Sequence, residues 1–220
     1  GQKIYITWGE HELAGNIIHL VLARLPGAPE GSRGISLFVV PKYHVNADGS
    51  LGPKNDLRCV SLEHKLGINA SPTCVMSYGD NGECIGELVG APNKGLAAMF
   101  TMMNNARINV GNQGAQIAER ATQQALAYAR DRVQSARAGS ADKSPVAIIE
   151  HPDVRRMVLR MKALTEGVRA LLYYCAGQVD RGNLGDEAAR NRAEIVVPLI
   201  KAWGTDVGVE VTSLGIQIHG

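Results

Sequence analysis

The chain has 220 residues, of which 45% are apolar and only 5% aromatic, and its formal net charge is +2. That length holds one large domain or two small ones, with a sizeable core of Ala, Leu, Val and Ile. A charge so near neutral gives no case for a nucleic-acid partner or an anionic membrane surface, although local basic patches stay open.

No apolar run approaches the length of a membrane span, and no signal peptide opens the chain. Cys59, Cys74, Cys84 and Cys175 have no CxxC spacing and no histidine pair near them. They read as reduced, mostly buried thiols of a cytosolic protein, without structural zinc. Both ends read as cut, one in a strand already under way and the other in a segment without a tail.

Residues 1–88 read as strands. Residues 3–7 alternate weakly, and 16–25 and 34–40 are short β-branched runs split by the turn composition of 26–33. Residues 46–55 read as loop. Shorter strands follow at 59–66, 73–78 and 84–89. Regular short strands with turn signals between them suggest a small antiparallel barrel or sandwich.

At residues 90–93 the apolar period changes from two to three and four. A long helix is expected to start near Pro92 or Asn93 and run to about Gln134. Arg107 is an isolated charge in its Met- and Asn-rich first half, and Arg130 and Arg132 close it. A half-buried arginine needs a partner, and a phosphate-bearing cofactor or substrate would supply one. Gly111 and Gly114 weaken an isolated helix by about 1 kcal/mol each, but allow another helix or a ligand to come close.

Residues 135–143 read as a mobile polar loop. A second helix follows Pro152, with a stripe of Val154, Met157, Val158, Met161, Leu164, Val168, Leu171, Leu172 and Cys175. Its arginines lie off that stripe and read as a solvated face. Asp186 is expected to cap a third helix whose apolar stripe is Ile195, Leu199, Trp203, Val207, Val211 and Leu214. Pro198 should kink that helix or start a new one. The expected fold class is α+β, a small antiparallel barrel or sandwich over residues 1–90 followed by an antiparallel helical bundle over 91–220.

Several familiar chemistries are missing. Residues 90–95 lack the Gly-Lys-Ser/Thr ending of a phosphate loop, no GxGxxG follows a strand, and there is no GxSxG elbow. The six histidines are dispersed, without metal-ligand spacing.

Taken together, the residues resemble an acyl-CoA dehydrogenase along nearly the whole chain. Four segments carry the resemblance: 1–9 (GQKIYITWG), 63–73 (EHKLGINASPT), 86–107 ending in MMNNAR, and the pair 128–134 (YARDRVQ) with 216–220 (IQIHG). The variants Arg-Val-Gln, Glu-His-Pro and Met-Met-Asn-Asn-Ala-Arg lean toward the long subfamily that includes 3-methylmercaptopropionyl-CoA dehydrogenase-like proteins.

The resemblance implies a fragment covering most of a middle β-domain and most of a C-terminal helical domain. It implies FAD as cofactor, an acyl-CoA as substrate and an electron-transfer flavoprotein as electron acceptor. It makes Tyr5 and Thr7 contacts of the flavin, and Asn104 and Arg107 contacts of the acyl-CoA. Arg132, Gln134 and Gln217 become contacts of FAD held by a neighbouring subunit, which implies a homodimer or homotetramer. His151 falls where the family has a further cofactor-proximal residue, but Pro152 replaces a polar neighbour.

No residue of the chain is identified as the catalytic base. Ala106 stands where a minority of the family carries it, so a Glu downstream of Gly220 is expected. The implied compartment is the cytoplasm, or the mitochondrial matrix in a eukaryote. The alternatives are an acyl-CoA oxidase and a non-catalytic flavin-binding scaffold.

Overall fold

The computed structural model describes all residues, Gly1–Gly220, as two compact units, Gly1–Thr101 and Met102–Gly220.

The first unit contains β1 (Gln2–Thr7), β2 (Ile18–Arg24), β3 (Ile35–Pro41), β4 (Tyr43–Val45), β5 (Leu51–Lys54), β6 (Leu57–Leu62), β7 (Thr73–Tyr78) and β8 (Glu87–Val89). Two three-stranded sheets form, in the orders β1-β7-β6 and β2-β3-β8, with β4-β5 as a separate ladder. Every pairing is antiparallel. Val21, Val40, Leu57, Cys74, Met76 and Tyr78 form the buried core of this unit.

The strands do not close into a barrel, because β1 and β2 are both sheet edges. The expected loop at 46–55 contains β5, a short strand whose Gly and Pro disguise it. The expected strand 59–66 stops at Leu62, before the Gly-containing loop.

The helix α1 (Gly95–Asp131) opens at the end of this unit. Its entry is fixed by Ser36, a fully buried residue on β3 whose Oγ accepts from the Asn93 amide at 2.9 Å. Asn93 has φ +65, which an asparagine tolerates better than most residues. A Cβ on Gly95 would come within 2.5 Å of the Leu37 backbone nitrogen, so this position admits only glycine.

In the second unit, α1 is followed by the hairpin β9 (Val133–Ala136) and β10 (Pro145–Ala147), then by α2 (Pro152–Asn183) and α3 (Glu187–His219). The α1 helix therefore ends at Asp131. Arg132 lies just past it, and Gln134 lies on a strand rather than on the helix or in a mobile loop.

The helices run up, down and up. Glu119 pairs with Arg169 and Thr122 with Thr165, so α1 and α2 are antiparallel. Gly111 faces Ile200, Gly114 faces Gly204, and Tyr128 stacks on His219, so α1 and α3 are parallel.

The α2 stripe is as expected: Met157, Val158, Met161, Val168, Leu172 and Cys175 are buried. The arginines and lysine off the stripe are mostly ion-paired surface groups, including Arg155 with Glu150 and Arg160 with Glu210. The α3 stripe holds only in its second half. Val207 and Val211 are buried and Leu214 packs on the core, but Ile195, Leu199 and Trp203 are exposed, and Ala193, Val197, Ile200 and Gly204 face the core in their place. Gly204 and Gly208 stand on the buried side because α1 and α3 approach there through backbone.

Pro198 neither ends α3 nor starts a new helix. Pro198 and Glu194 are both exposed, so water can satisfy the carbonyl that the missing N–H leaves open.

Asp186 caps α3 as expected, accepting from the Ala189 amide at 2.9 Å and pairing with Arg181 at 2.5 Å. The Ala189 amide, then Arg181, hold its pKa below the ordinary aspartate value. A depressed folded pKa gives stability that is present above the unfolded value and lost as pH falls through the folded one. Asparagine also caps helices, so Asp186→Asn removes only the charge. The difference in unfolding midpoint between the two proteins should be open at neutral pH and close in acid. A difference that persists after Asp186 is protonated would contradict this.

Candidate functional site

In the first unit the site begins with a defect in β1. Lys3 pairs with Met76 and Ile6 with Cys74, so β1 holds one extra residue across that interval. Tyr5 sits in this bulge at φ +57 and is 68% exposed. Ile6 packs on the core, while Tyr5 and Thr7 are turned to solvent. A non-glycine residue held in the left-handed region costs energy and persists where the surroundings over-determine it.

Trp8 follows, also at φ +57, with its amide donating to Pro72 O at 2.8 Å. Its ring meets His11 edge-on at 5.3 Å. The loop opposite is closed by Lys65, whose Nζ donates to Ile68 O at 2.9 Å and to Ser71 O at 2.6 Å. This explains the lysine of the 63–73 segment: it caps the loop's carbonyls while Ile68 stands at φ +53. Trp8, His11 and this loop enclose a cavity of about 350 Å³.

A second cavity, of about 590 Å³, lies between β1 and β2 and reaches Thr7, Trp8, His19 and Tyr78. His19 is buried, with Nδ1 2.7 Å from the Tyr78 hydroxyl. Burial lowers the His19 pKa and pushes Tyr78 up to about 12, so both are neutral at physiological pH. No protein group makes a well-formed hydrogen bond to the buried His19 Nε2. Nothing in the sequence pattern singled out this pair, because its two members are 59 residues apart.

A third cavity of the first unit, about 810 Å³, holds none of the expected site residues. Two of its polar residues already serve the fold. Asn55 bonds Pro41 O and Ile85 O, and Asp56 accepts from the Asn81 and Glu83 amides.

In the second unit Asn104 and Arg107 are brought together as their spacing implied. Arg107 Nη1 donates to Asn104 Oδ1 at 2.9 Å, and both are half-buried. The amide thus orients the guanidinium.

The ends of α1 and α3 meet through Tyr128 and His219, whose rings stack at 4.4 Å with 28° between planes. Tyr128 is one turn before Arg132, and His219 is two residues after Gln217. The two expected cofactor segments therefore share one end of the helical unit. A groove of about 320 Å³ runs beside the stack, lined by Gln124, Thr212, Ile216 and His219 among others. The His219 ring is held by Nδ1 donating to Gly215 O at 2.7 Å.

Arg132, Gln134 and Gln217 are exposed. The backbone around the first two is held by Arg132 N donating to Tyr128 O and Ile148 N donating to Arg132 O, each at 2.8 Å. One exposed guanidinium and two exposed amides are a donor set that fits a nucleotide pyrophosphate.

Residues 93–220 match the acyl-CoA dehydrogenase C-terminal domain, which is more than half of the chain. The chain belongs to the acyl-CoA dehydrogenase family. It is 57% identical over its whole length to 3-methylmercaptopropionyl-CoA dehydrogenase of Ruegeria pomeroyi, of which it spans 38%. It is 43% identical to a butyryl-CoA dehydrogenase of Syntrophomonas wolfei, again spanning 38% of that protein. Among solved structures, butyryl-CoA dehydrogenase of Megasphaera elsdenii has the same fold, with a TM-score of 0.72 at 24% identity, over all of this chain and 49% of that one.

The chain thus spans well under half the length of these sequence relatives. As an acyl-CoA dehydrogenase segment it carries alanine, Ala106, directly before Arg107.

Proposed function

We propose that this chain is the flavin- and thioester-binding part of an FAD-dependent acyl-CoA dehydrogenase, which converts an acyl-CoA to the trans-2-enoyl-CoA. The observation that carries the reading is the meeting of the 128–134 and 216–220 segments through the Tyr128–His219 stack, with Arg132, Gln134 and Gln217 exposed around it.

FAD, when bound, supplies the acceptor for the hydride from the substrate β-carbon. The chain's own residues bind and orient. Arg132 neutralises a pyrophosphate charge, and Gln134 and Gln217 donate amides to the same nucleotide, across a subunit boundary in a homodimer or homotetramer. Thr7 offers its hydroxyl beside the flavin ring, and Tyr5 packs against that ring from the bulge. Arg107, oriented by Asn104, holds the acyl-CoA. The α-proton goes to a glutamate in the part of the protein beyond this segment, which the greater length of the relatives leaves room for. Electrons pass on to an electron-transfer flavoprotein. No helix here is long and apolar enough to cross a membrane.

The test is turnover by the whole protein with 3-methylmercaptopropionyl-CoA, butyryl-CoA and longer thioesters. Electron-transfer flavoprotein and dioxygen are supplied in separate arms. Turnover that needs the flavoprotein supports the dehydrogenase, turnover with dioxygen alone makes it an oxidase, and none with any thioester leaves a flavin-binding scaffold.

A further inference from the structure

We propose that His151 is a positioning residue for the cofactor-binding strand β9, acting through the Gln134 carbonyl. The proposal rests on the reading of Arg132 and Gln134 as cofactor ligands.

His151 occupies the N-cap of α2, where Ser, Thr, Asp or Asn would accept hydrogen bonds from first-turn amides. Its side chain makes no such bond. The ring instead turns back seventeen residues, placing Nε2 2.8 Å from Gln134 O. A carbonyl only accepts, so Nε2 carries the proton and donates. The helix forgoes a capping side chain, and the strand gains a tether.

The strand needs one. The β9–β10 ladder is short, pairing Ala136 with Pro145 and Val133 with Ala147, and its register shifts between those pairs. Gln134 and Ser135 lie inside the shift. Ser135 is at φ +61, a conformation that a serine holds only when its neighbours enforce it. The neighbours here are tied to one place. His151 holds Gln134 from before Ser135, and Glu150 pairs with Arg137 from after it. Glu150 is itself fixed by Arg155 at 3.0 Å. The junction before α2 thus sets the path of β9, and with it the direction in which Arg132 and Gln134 present their side chains.

Capping and tethering separate by substitution. His151→Ser restores a competent cap and removes the tether. His151→Gln places an amide donor where Nε2 stood. The whole protein carrying each change is compared for FAD dissociation constant, for the unfolding midpoint of the FAD-free form, and for amide exchange over residues 133–136.

With His151→Ser we expect FAD affinity to fall about 10-fold, exchange over 133–136 to quicken, and the FAD-free midpoint to hold or rise. His151→Gln should restore affinity to within about 3-fold of the parent. Undiminished FAD affinity in His151→Ser, while Arg132→Ala loses FAD, overturns the inference and leaves the cofactor reading standing. A lowered FAD-free midpoint in His151→Ser also overturns it, since the role would then be general stability. Full FAD affinity in Arg132→Ala removes the cofactor reading of this strand and the inference with it.

Discussion

Gly114→Val should disrupt the helical unit, with a loss of at least about 3 kcal/mol. A Cβ at Gly114 would lie 2.1 Å from Gly204 O and 2.5 Å from its carbonyl carbon. Both atoms are backbone, so no rotamer change relieves the clash. The crossing is tight from both sides: a Cβ on Gly208 would meet Gly114 Cα at 3.2 Å, and one on Gly111 would meet Ile200 O at 2.7 Å.

Separating the two helices to admit a side chain would open the core around Ile200 and Val207, which are almost wholly buried. Valine's modest effect on helix propensity is too small to matter against that. Gly177 on α2 is the control. A Cβ there meets nothing within 4 Å, so Gly177→Ala should stabilise by about 0.5–1 kcal/mol through helix propensity alone. Denaturant unfolding of the two variants checks both signs. Equal stabilities would mean that α1 and α3 do not cross at these glycines.

Arg132→Ala should release the flavin, weakening FAD binding by about 10- to 100-fold. Arginine's planar fork delivers two charge-assisted hydrogen bonds to a phosphate, and alanine delivers none. Arg132→Lys should recover only part of the loss, because a point charge replaces the fork. The stability of the FAD-free protein should change little, since Arg132 is exposed and the structural bonds of this residue are made by its backbone. Flavin absorbance per protein after gel filtration reads the effect directly. Unchanged flavin content would remove Arg132 from the cofactor site.

Much of the fold was legible where one period dominates. The α2 stripe from Met157 to Cys175 repeats every three or four residues with large apolar groups, and all the strongly apolar members pack inward. The Asp186 cap was legible because it is local.

The α3 stripe was legible only from Val207 onward. Before it the buried side includes Ala189, Ala193 and Gly204, residues with little hydropathy, while Ile195 and Leu199 draw attention from the exposed side. The end of α1 was missed for a related reason. No Gly or Pro marks the stop after Asp131; β9 exists because it pairs with β10 across a polar loop, a contact that local propensity does not record. The absence of a closed barrel reflects which strands pair, and alternation along one strand carries no information about its partner.

In the candidate site, the Asn104–Arg107 pair could be read from a spacing of three on one helix face. Tyr5 and Thr7 are proposed by resemblance, and the bulge that exposes Tyr5 has no signature in a run of ordinary strand formers. The Tyr128–His219 stack and the His151–Gln134 bond join residues far apart in sequence or across a chain reversal. Only the folded unit brings them together.

The most direct test of the functional reading is optical. The whole protein, charged with FAD and kept free of oxygen, is mixed with 3-methylmercaptopropionyl-CoA and with straight-chain acyl-CoAs, and the flavin absorbance is followed. The reading predicts rapid bleaching by at least one thioester with one equivalent of enoyl-CoA formed per flavin. A flavin that keeps its oxidised spectrum with every thioester would contradict it.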